Sequence, residues 1–287
     1  MKHITDQFTG AHGEAMFFQN WQPDKQAHAT LVIVHGLSDH CNRYTNLVNG
    51  LVPRGIAIYI FDQLGHGRSP GSRGHIDSFI EYREDLHAFM QLVAGIESEI
   101  PLFLMGHSMG GLIVLDYGLQ YPQDINGVIA SAPHLGDPPV SPVVLTLGRL
   151  LSGIWPGLTL DNGLDKDGIS RDPGVVQAYQ DDPLVHGKGT PRLSTELSIA
   201  VANTQANAAN FQPPLLIYHG SADRLTSPEA SRRFYDKVSS SNKRYISYEG
   251  GYHEGHNDLH RERVIIDVGQ WMEEQIRLAS RQPQEHS

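Results

Sequence analysis

Six consecutive residues carry the clearest chemical reading in the chain. Gly106-His107-Ser108-Met109-Gly110-Gly111 fits the pattern G-x-S-x-G. It lies between an apolar run at 102–107 that reads as a strand and a stretch from 109 to 121 with helical spacing. On a tight strand-to-helix turn the serine is lifted out of the sheet, and side chains at positions 106 and 110 would collide with neighbouring backbone, which is why both are glycine. The start of the following helix offers free N–H groups and a partial positive charge, so the N–H of Met109 is placed to hold an oxyanion. The alternative is a glycine-rich turn with an incidental serine.

A serine hydroxyl is a weak nucleophile at neutral pH and needs a base, and the base needs an acid to fix its tautomer. There are 16 histidines to sift. Behind a turn of this kind the acid and the base come later in the chain, from loops at the carboxyl ends of late strands, in the order Ser, Asp, His. Asp223 follows the apolar run at 215–219, and His253 follows the strand-like 244–248 in Glu249-Gly250-Gly251-Tyr252-His253-Glu254. His256 competes for the base, but it stands nearer the next helix and is expected to face away. The run His253-Glu254-Gly255-His256 does not make the zinc motif H-E-x-x-H, because position 257 is Asn257. His35 and His107 close core strands and read as structural. The loop His35-Gly36-Leu37-Ser38-Asp39-His40 is where a second oxyanion donor belongs, with the N–H of Leu37 as the candidate. Asp62-Gln63-Leu64-Gly65-His66-Gly67-Arg68-Ser69 lacks the Lys and spacing of a phosphate loop and reads as a structural turn.

The elements that must position these residues read as alternating strands and helices. Strands are expected at 14–21, 30–35, 56–62, 102–107, 127–132, 215–219 and 244–248, and helices at 43–53, 78–95, 109–121, 228–238 and 258–278, with Ser227 and Asp258 as N-caps. Runs such as Leu31-Val32-Ile33-Val34 do not alternate, so they belong mid-sheet, covered on both faces. This order predicts a three-layer α/β sandwich with a mostly parallel, doubly wound sheet. The pattern fails between 133 and 210, where prolines interrupt an apolar, partly helical stretch. Its first half, through Leu150-Leu151 and Ile154-Trp155, is too apolar for a solvent-facing helix and is read as a lid over a pocket. A core helix with no gating role is the alternative. The expected division is a core at 1–133 and 209–280, a cap at 134–208, and a disordered tail at 281–287.

Composition narrows the partners. The formal charge of -10 and the absence of a Lys/Arg run argue against nucleic acid. The first ten residues lack a secretory h-region, and no run reaches the length of a membrane span, so a cytoplasmic protein is expected, peripheral to a membrane at most. Cys41 is the only cysteine, which rules out an intramolecular disulfide and a thiolate-rich metal site. It reads as buried and inert. No cofactor and no metal are expected, and the oligomeric state is not legible.

Taken jointly, several segments resemble the monoacylglycerol lipase and lysophospholipase branch of the α/β-hydrolases, from about position 10 to 271. They are His35 to His40 leading to Arg43-Tyr44, Phe61-Asp62 leading to Gly65-His66-Gly67-Arg68-Ser69, Gly71 to His75, Gly106 to Gly111, Ser170-Arg171-Asp172-Pro173, and Tyr179-Gln180-Asp181-Asp182-Pro183-Leu184-Val185. The resemblance implies a serine ester hydrolase with a helical cap inserted in an α/β-hydrolase core. It implies a triad of Ser108, Asp223 and His253, an oxyanion hole from the amides of Leu37 and Met109, and Asp39, Arg43 and Tyr179 at the head-group end of a greasy tunnel. The expected substrate is a monoacylglycerol or similar single-chain lipid ester. Short-chain carboxylesterase and lysophospholipase activity remain alternatives, as does peptidase use of the same fold, for which the acidic Asp161, Asp165, Asp167, Asp181 and Asp182 leave room.

Overall fold

The computed structural model describes residues 1–136 and 142–280, with side chains at 142–147 left aside. The expected tail at 281–287, and the apolar side chains at 140–147 of the expected lid, lie outside the described residues. In chain order the strands are β1 (Lys2–Thr9), β2 (Ala15–Gln22), β3 (Ala29–Val34), β4 (Ile56–Phe61), β5 (Leu102–His107), β6 (Gly127–Ser131), β7 (Leu160–Asp161), β8 (Lys188–Gly189), β9 (Leu215–Gly220) and β10 (Lys243–Tyr248). The helices are α1 (Thr45–Leu51), α2 (Phe79–Ile96), α3 (Met109–Gln120), α4 (Pro142–Ile154), α5 (Pro173–Asp181), α6 (Pro191–Ala206), α7 (Pro228–Lys237) and α8 (Arg261–Ser280).

An 8-stranded sheet in the order β1-β2-β4-β3-β5-β6-β9-β10 runs through the molecule. From β4 to β10 its neighbours are parallel, while β1, β2 and β4 pair antiparallel. The non-alternating strands split their side chains between two cores. Val32, Val34, Tyr59 and Phe61 face the layer of α2, α3, α6 and α7, and Leu31, Ile33, Ile58 and Ile60 face that of α1 and α8. A strand covered by helices on both faces has no polar side to show. The sheet is therefore the middle of a three-layer sandwich.

Three expectations change. β1 was not anticipated: its side chains are almost all exposed, so it has no apolar signal of its own and is held by pairing with β2 along its whole length. The helix expected from 258 begins at Arg261, because the Asp258 carboxylate turns instead to Arg171 and to the N–H groups of Arg171 and Tyr252. The helix expected at 43–53 is broken into a 3-10 turn at Cys41–Tyr44, then α1, then a second 3-10 turn containing Pro53. Ser227 caps α7 as expected, accepting from the Ala230 N–H. The loop at 62–69 is a structural turn: the Asp62 carboxylate accepts the N–H groups of Cys41 and Arg68, and a Cβ on Gly67 would meet it at 2.1 Å.

The segment between β6 and β9 carries α4, α5, α6 and the two-stranded β7-β8 pair. α6 packs against α4 and also against α2 and α3 of the sandwich. Side chains clip the segment to the sheet's carboxyl end: His40 Nε2 lies 2.9 Å from Asp182, Asn162 donates to Ser38 Oγ at 2.8 Å, and His75 lies 3.1 Å from Thr190. Among the described residues no helix is long and apolar enough to cross a membrane, and no cluster of three potential metal ligands occurs.

Candidate active site

β5 delivers Ser108 to a backbone conformation that side chains rarely adopt, φ 56° and ψ −118°. What holds it there is close packing of backbone. A Cβ on Gly106 would lie 2.1 Å from the Gly110 carbonyl oxygen, and one on Gly110 would lie 2.1 Å from that of Val34. Only glycine lets α3 approach β3 and β5 this nearly. The Ser108 N–H donates to the Ser131 carbonyl at 2.9 Å, and the Ser108 carbonyl accepts from His134 N–H at 2.9 Å. The serine thus sits at the start of α3, whose first turn leaves N–H groups without intrahelical partners.

The loop after β3 closes over the same spot, with Gly36 so near that a Cβ there would be 3.2 Å from that of Ser108. His35 braces it: Nδ1 donates to the Gly36 carbonyl at 2.8 Å and Nε2 accepts the Gln63 N–H at 2.9 Å. Burial holds its pKa down, which suits this neutral tautomer. Asp39 sits within the loop, accepting from the Tyr44 hydroxyl at 2.8 Å and the His40 N–H at 2.7 Å. It also pairs with Arg43 Nε at 3.0 Å.

Asp223 and His253 meet above the ends of β9 and β10. His253 Nδ1 lies 2.7 Å from Asp223 Oδ2, and the other carboxylate oxygen accepts the N–H groups of Leu225 at 2.8 Å and Thr226 at 3.1 Å. With Nδ1 donating to Asp223, the Nε2 of His253 is the nitrogen left to act as a base. Burial alone would lower the His253 pKa, but the charge and hydrogen bond of Asp223, with Glu254 and Asp39 behind, outweigh it and raise the ring above its ordinary value. Burial pulls Asp223 the other way from its partners. The charge on His253 and the bonds from His219 and His253 win, and hold its carboxyl well below the usual range.

Ser108, His253, Leu37 and Met109 all line one cavity of about 130 Å³, and Asp39 and Tyr179 line it too. Arg43 is committed elsewhere: its guanidinium reaches both Glu254 oxygens at 2.5 and 2.6 Å and lies 4.5 Å over the Tyr179 ring. Apolar walls come from Leu164, Ile169 and Leu197 of the segment between β6 and β9, and from Leu225. His256 does not face away as expected. Its ring is buried, stacked on Tyr44 at 4.9 Å, and burial drives its pKa down to about 3. His107 bonds Ser131 Oγ at 3.1 Å and burial holds its pKa well down, and it also borders the cavity with its ring 4.5 Å from that of His253. Burial also pushes the Cys41 thiol up, leaving little thiolate.

Sequence reasoning missed Glu254, His219 and Thr226. Glu254 borders the cavity and locks Arg43, while His219 and Thr226 bond the Asp223 carboxylate at 2.9 Å each. Glu254 had a signal in its adjacency to His253. For the other two, only the short spacing to Asp223 in His219-Gly220-Ser221-Ala222-Asp223 and on to Thr226 offered one.

The family model described as serine aminopeptidase, S33 (Hydrolase_4) matches residues 25–260. A monoacylglycerol lipase of Mycolicibacterium smegmatis is 35% identical over 270 residues, covering 92% of this chain and 95% of that protein. Among solved structures, the monoacylglycerol lipase of Paleococcus ferrophilus is 32% identical with a TM-score of 0.77, covering 96% of this chain and 100% of that one. A soluble variant of Saccharomyces cerevisiae monoglyceride lipase, in complex with a substrate analogue, superposes with a TM-score of 0.85 at 25% identity, over 95% of this chain and 94% of that one. Sequence, strand order and the strained serine agree: this chain belongs to the α/β-hydrolases of the Hydrolase_4, serine aminopeptidase S33, family.

Proposed function

We propose that the protein hydrolyses monoacylglycerols, or similar single-chain lipid esters, through an acyl-serine intermediate on Ser108. The observation that carries this reading is the common cavity. It joins a strained serine to a histidine held by a buried carboxylate, under apolar side chains and beside polar ones. His253 Nε2 takes the Ser108 proton as Oγ attacks the ester carbonyl, and the Leu37 and Met109 amides hold the oxyanion. The tetrahedral intermediate collapses as His253 returns the proton to the leaving alcohol. Water, activated by the same imidazole, then attacks the acyl-serine and releases the fatty acid.

Asp39 and Tyr179 would meet the alcohol head group, with Arg43 acting behind them through Tyr179 and Asp39. Residues 134–208 form the cap, whose Leu164, Ile169 and Leu197 would take the acyl chain. Leu150, Ile154, Trp155 and Leu160 are exposed. Apolar side chains in that position suit contact with a lipid surface, which the formal charge of -10 would not draw in electrostatically. The serine aminopeptidase name of the matching family makes a peptidase the second reading. Within the cavity no free carboxylate supports it, since its Asp39 and Glu254 are both tied to Arg43; between β6 and β9, Asp165 pairs with Arg224 and Asp182 bonds His40.

The test is hydrolysis of monoacylglycerols of graded chain length, lysophosphatidylcholine, p-nitrophenyl esters and an aminoacyl amide by wild type and Ser108→Ala. A Ser108-dependent preference for medium or long monoacylglycerols is expected. Cleavage of short esters alone would move the protein to the carboxylesterases, and cleavage of the amide alone would overturn the ester reading.

A further inference from the structure

Asp223 holds more donors than one histidine requires. Its Oδ2 lies 2.7 Å from His253 Nδ1 and 2.9 Å from His219 Nε2, so two imidazoles share one carboxylate oxygen. Thr226 Oγ1 donates to the same oxygen at 2.9 Å and sits between the rings, 3.2 Å from His219 Nε2 and 3.3 Å from His253 Nδ1. The His219 side chain is fully buried, and it borders no part of the cavity. Its other nitrogen, Nδ1, lies 3.0 Å from Ser231 Oγ on α7. A ring nitrogen facing a carboxylate oxygen must carry the proton, so in the neutral ring Nε2–H donates to Asp223 and Nδ1 accepts the Ser231 hydroxyl. The hydroxyl fixes the tautomer.

We propose that His219 is a positioning residue for the hydrolytic reaction, setting the orientation of Asp223 and the strength with which its Oδ2 pulls on the Nδ1 proton of His253. The inference rests on the reading of Ser108, His253 and Asp223 as nucleophile, base and orienting acid. A carboxylate oxygen that receives the His219 N–H is a weaker acceptor for His253. Without that donor Asp223 would bind the imidazolium more tightly, and His253 would stay protonated to higher pH. Asp223 would also lose one of the bonds fixing its rotamer, so the base would be less well aligned. Because His219 touches no substrate surface, its effect falls on kcat and on the pH profile. The charged and titratable groups facing His253 are Asp223, Glu254, Asp39, His107 and His256, and the substitutions below alter none of them.

The experiment measures kcat and KM against pH with a soluble p-nitrophenyl ester for the full chain and four variants. Asn reaches only as far as Nδ1 and can keep Ser231, whereas Gln reaches as far as Nε2 and can donate to Asp223. His219→Asn is expected to lose kcat by about tenfold, as for loss of a hydrogen bond to a charged group. Its KM should hold within about twofold, with the acid limb raised by roughly half a pH unit. His219→Gln should restore both. Ser231→Ala keeps every group on Asp223 and should move the limb less, in the same direction; it decides the matter should His219→Asn not fold. An unshifted limb in the folded His219→Asn or Ser231→Ala protein, or a Gln variant as impaired as Asn, would overturn the role of His219. Ser108→Ala separates the two levels. If it is inactive while the limb is unshifted, only this inference falls; if it retains full activity, the triad reading falls and takes this inference with it.

Discussion

At the scale of single residues, the site turns on which histidine a carboxylate holds. His253 has Asp223 at 2.7 Å, whereas His256 is stacked on Tyr44 with burial lowering its pKa to about 3. On the proposed mechanism His253→Ala loses roughly 10⁴-fold in kcat or more, the scale seen when a triad member is removed. His256→Ala is expected to retain most turnover and to lose stability instead, by the cavity it leaves. Steady-state kinetics with thermal melts of both variants check this, and the reverse ranking would show the base misassigned. The pH dependence has a definite sign. On that mechanism catalysis needs neutral His253, and its pKa is raised, so the acid limb of kcat/KM is expected above the ordinary imidazole range. Stability runs oppositely: a raised pKa contributes stability that is full below the unfolded value and lost as pH climbs through the folded one. For Asp223 the pKa is depressed, so its contribution is present above the ordinary carboxylate range and lost on acidification.

At the scale of elements, the strained turn and the loops around it are held by contacts a small substitution would break. A Cβ on Gly110 would meet the Val34 and His35 carbonyl oxygens at 2.1 and 2.5 Å, and backbone oxygens in mid-sheet have no room to yield. Gly110→Ala is therefore expected to cost on the order of 3 kcal/mol, read by denaturant unfolding, and to lower activity by moving Ser108. Glu254 ties the loop that carries His253 to the turn after β3 through the bidentate bonds to Arg43. Breaking a buried pair on one side leaves a charge short of its partner. Glu254→Gln is expected to destabilise by about 3 kcal/mol. A melting point within a degree or two of wild type would show the pair to be dispensable.

At the scale of the whole molecule, the sandwich presents the serine at the carboxyl end of the sheet, and the segment between β6 and β9 covers it. Ile154 and Trp155 lie at the end of α4 at 81% and 62% exposure, unusual for side chains of that size. If this face meets lipid, the double variant Ile154→Ser with Trp155→Ser should lose several-fold in activity on monoacylglycerol presented in vesicles. It should hydrolyse a soluble short ester normally, since neither residue touches the cavity. Equal activity on both substrates would argue that the patch does not serve binding. Leu197, in contrast, lines the cavity. Leu197→Ala is expected to weaken long acyl chains more than acetate esters, each buried CH₂ being worth about 0.8 kcal/mol.

Local pattern was enough to identify some features from the sequence. G-x-S-x-G between a strand and a helix marked Ser108 because the turn's sterics demand glycine at fixed offsets. The two-sided apolar runs marked the central strands because a strand covered on both faces has no polar side. β1 was invisible because its side chains are solvent-exposed and its place comes from backbone pairing with β2, which no side-chain pattern encodes. The bonds of His219 and Thr226 to Asp223, the Arg43–Glu254 lock and the burial of His256 were likewise missed. Those contacts join residues as far apart as 43 and 254. Such distances are set when the sheet brings its carboxyl-end loops together, so the sequence by itself determined the strained serine turn and the layered architecture. Only the tertiary structure decided what surrounds each charge, because burial and partner geometry arise where separate loops converge.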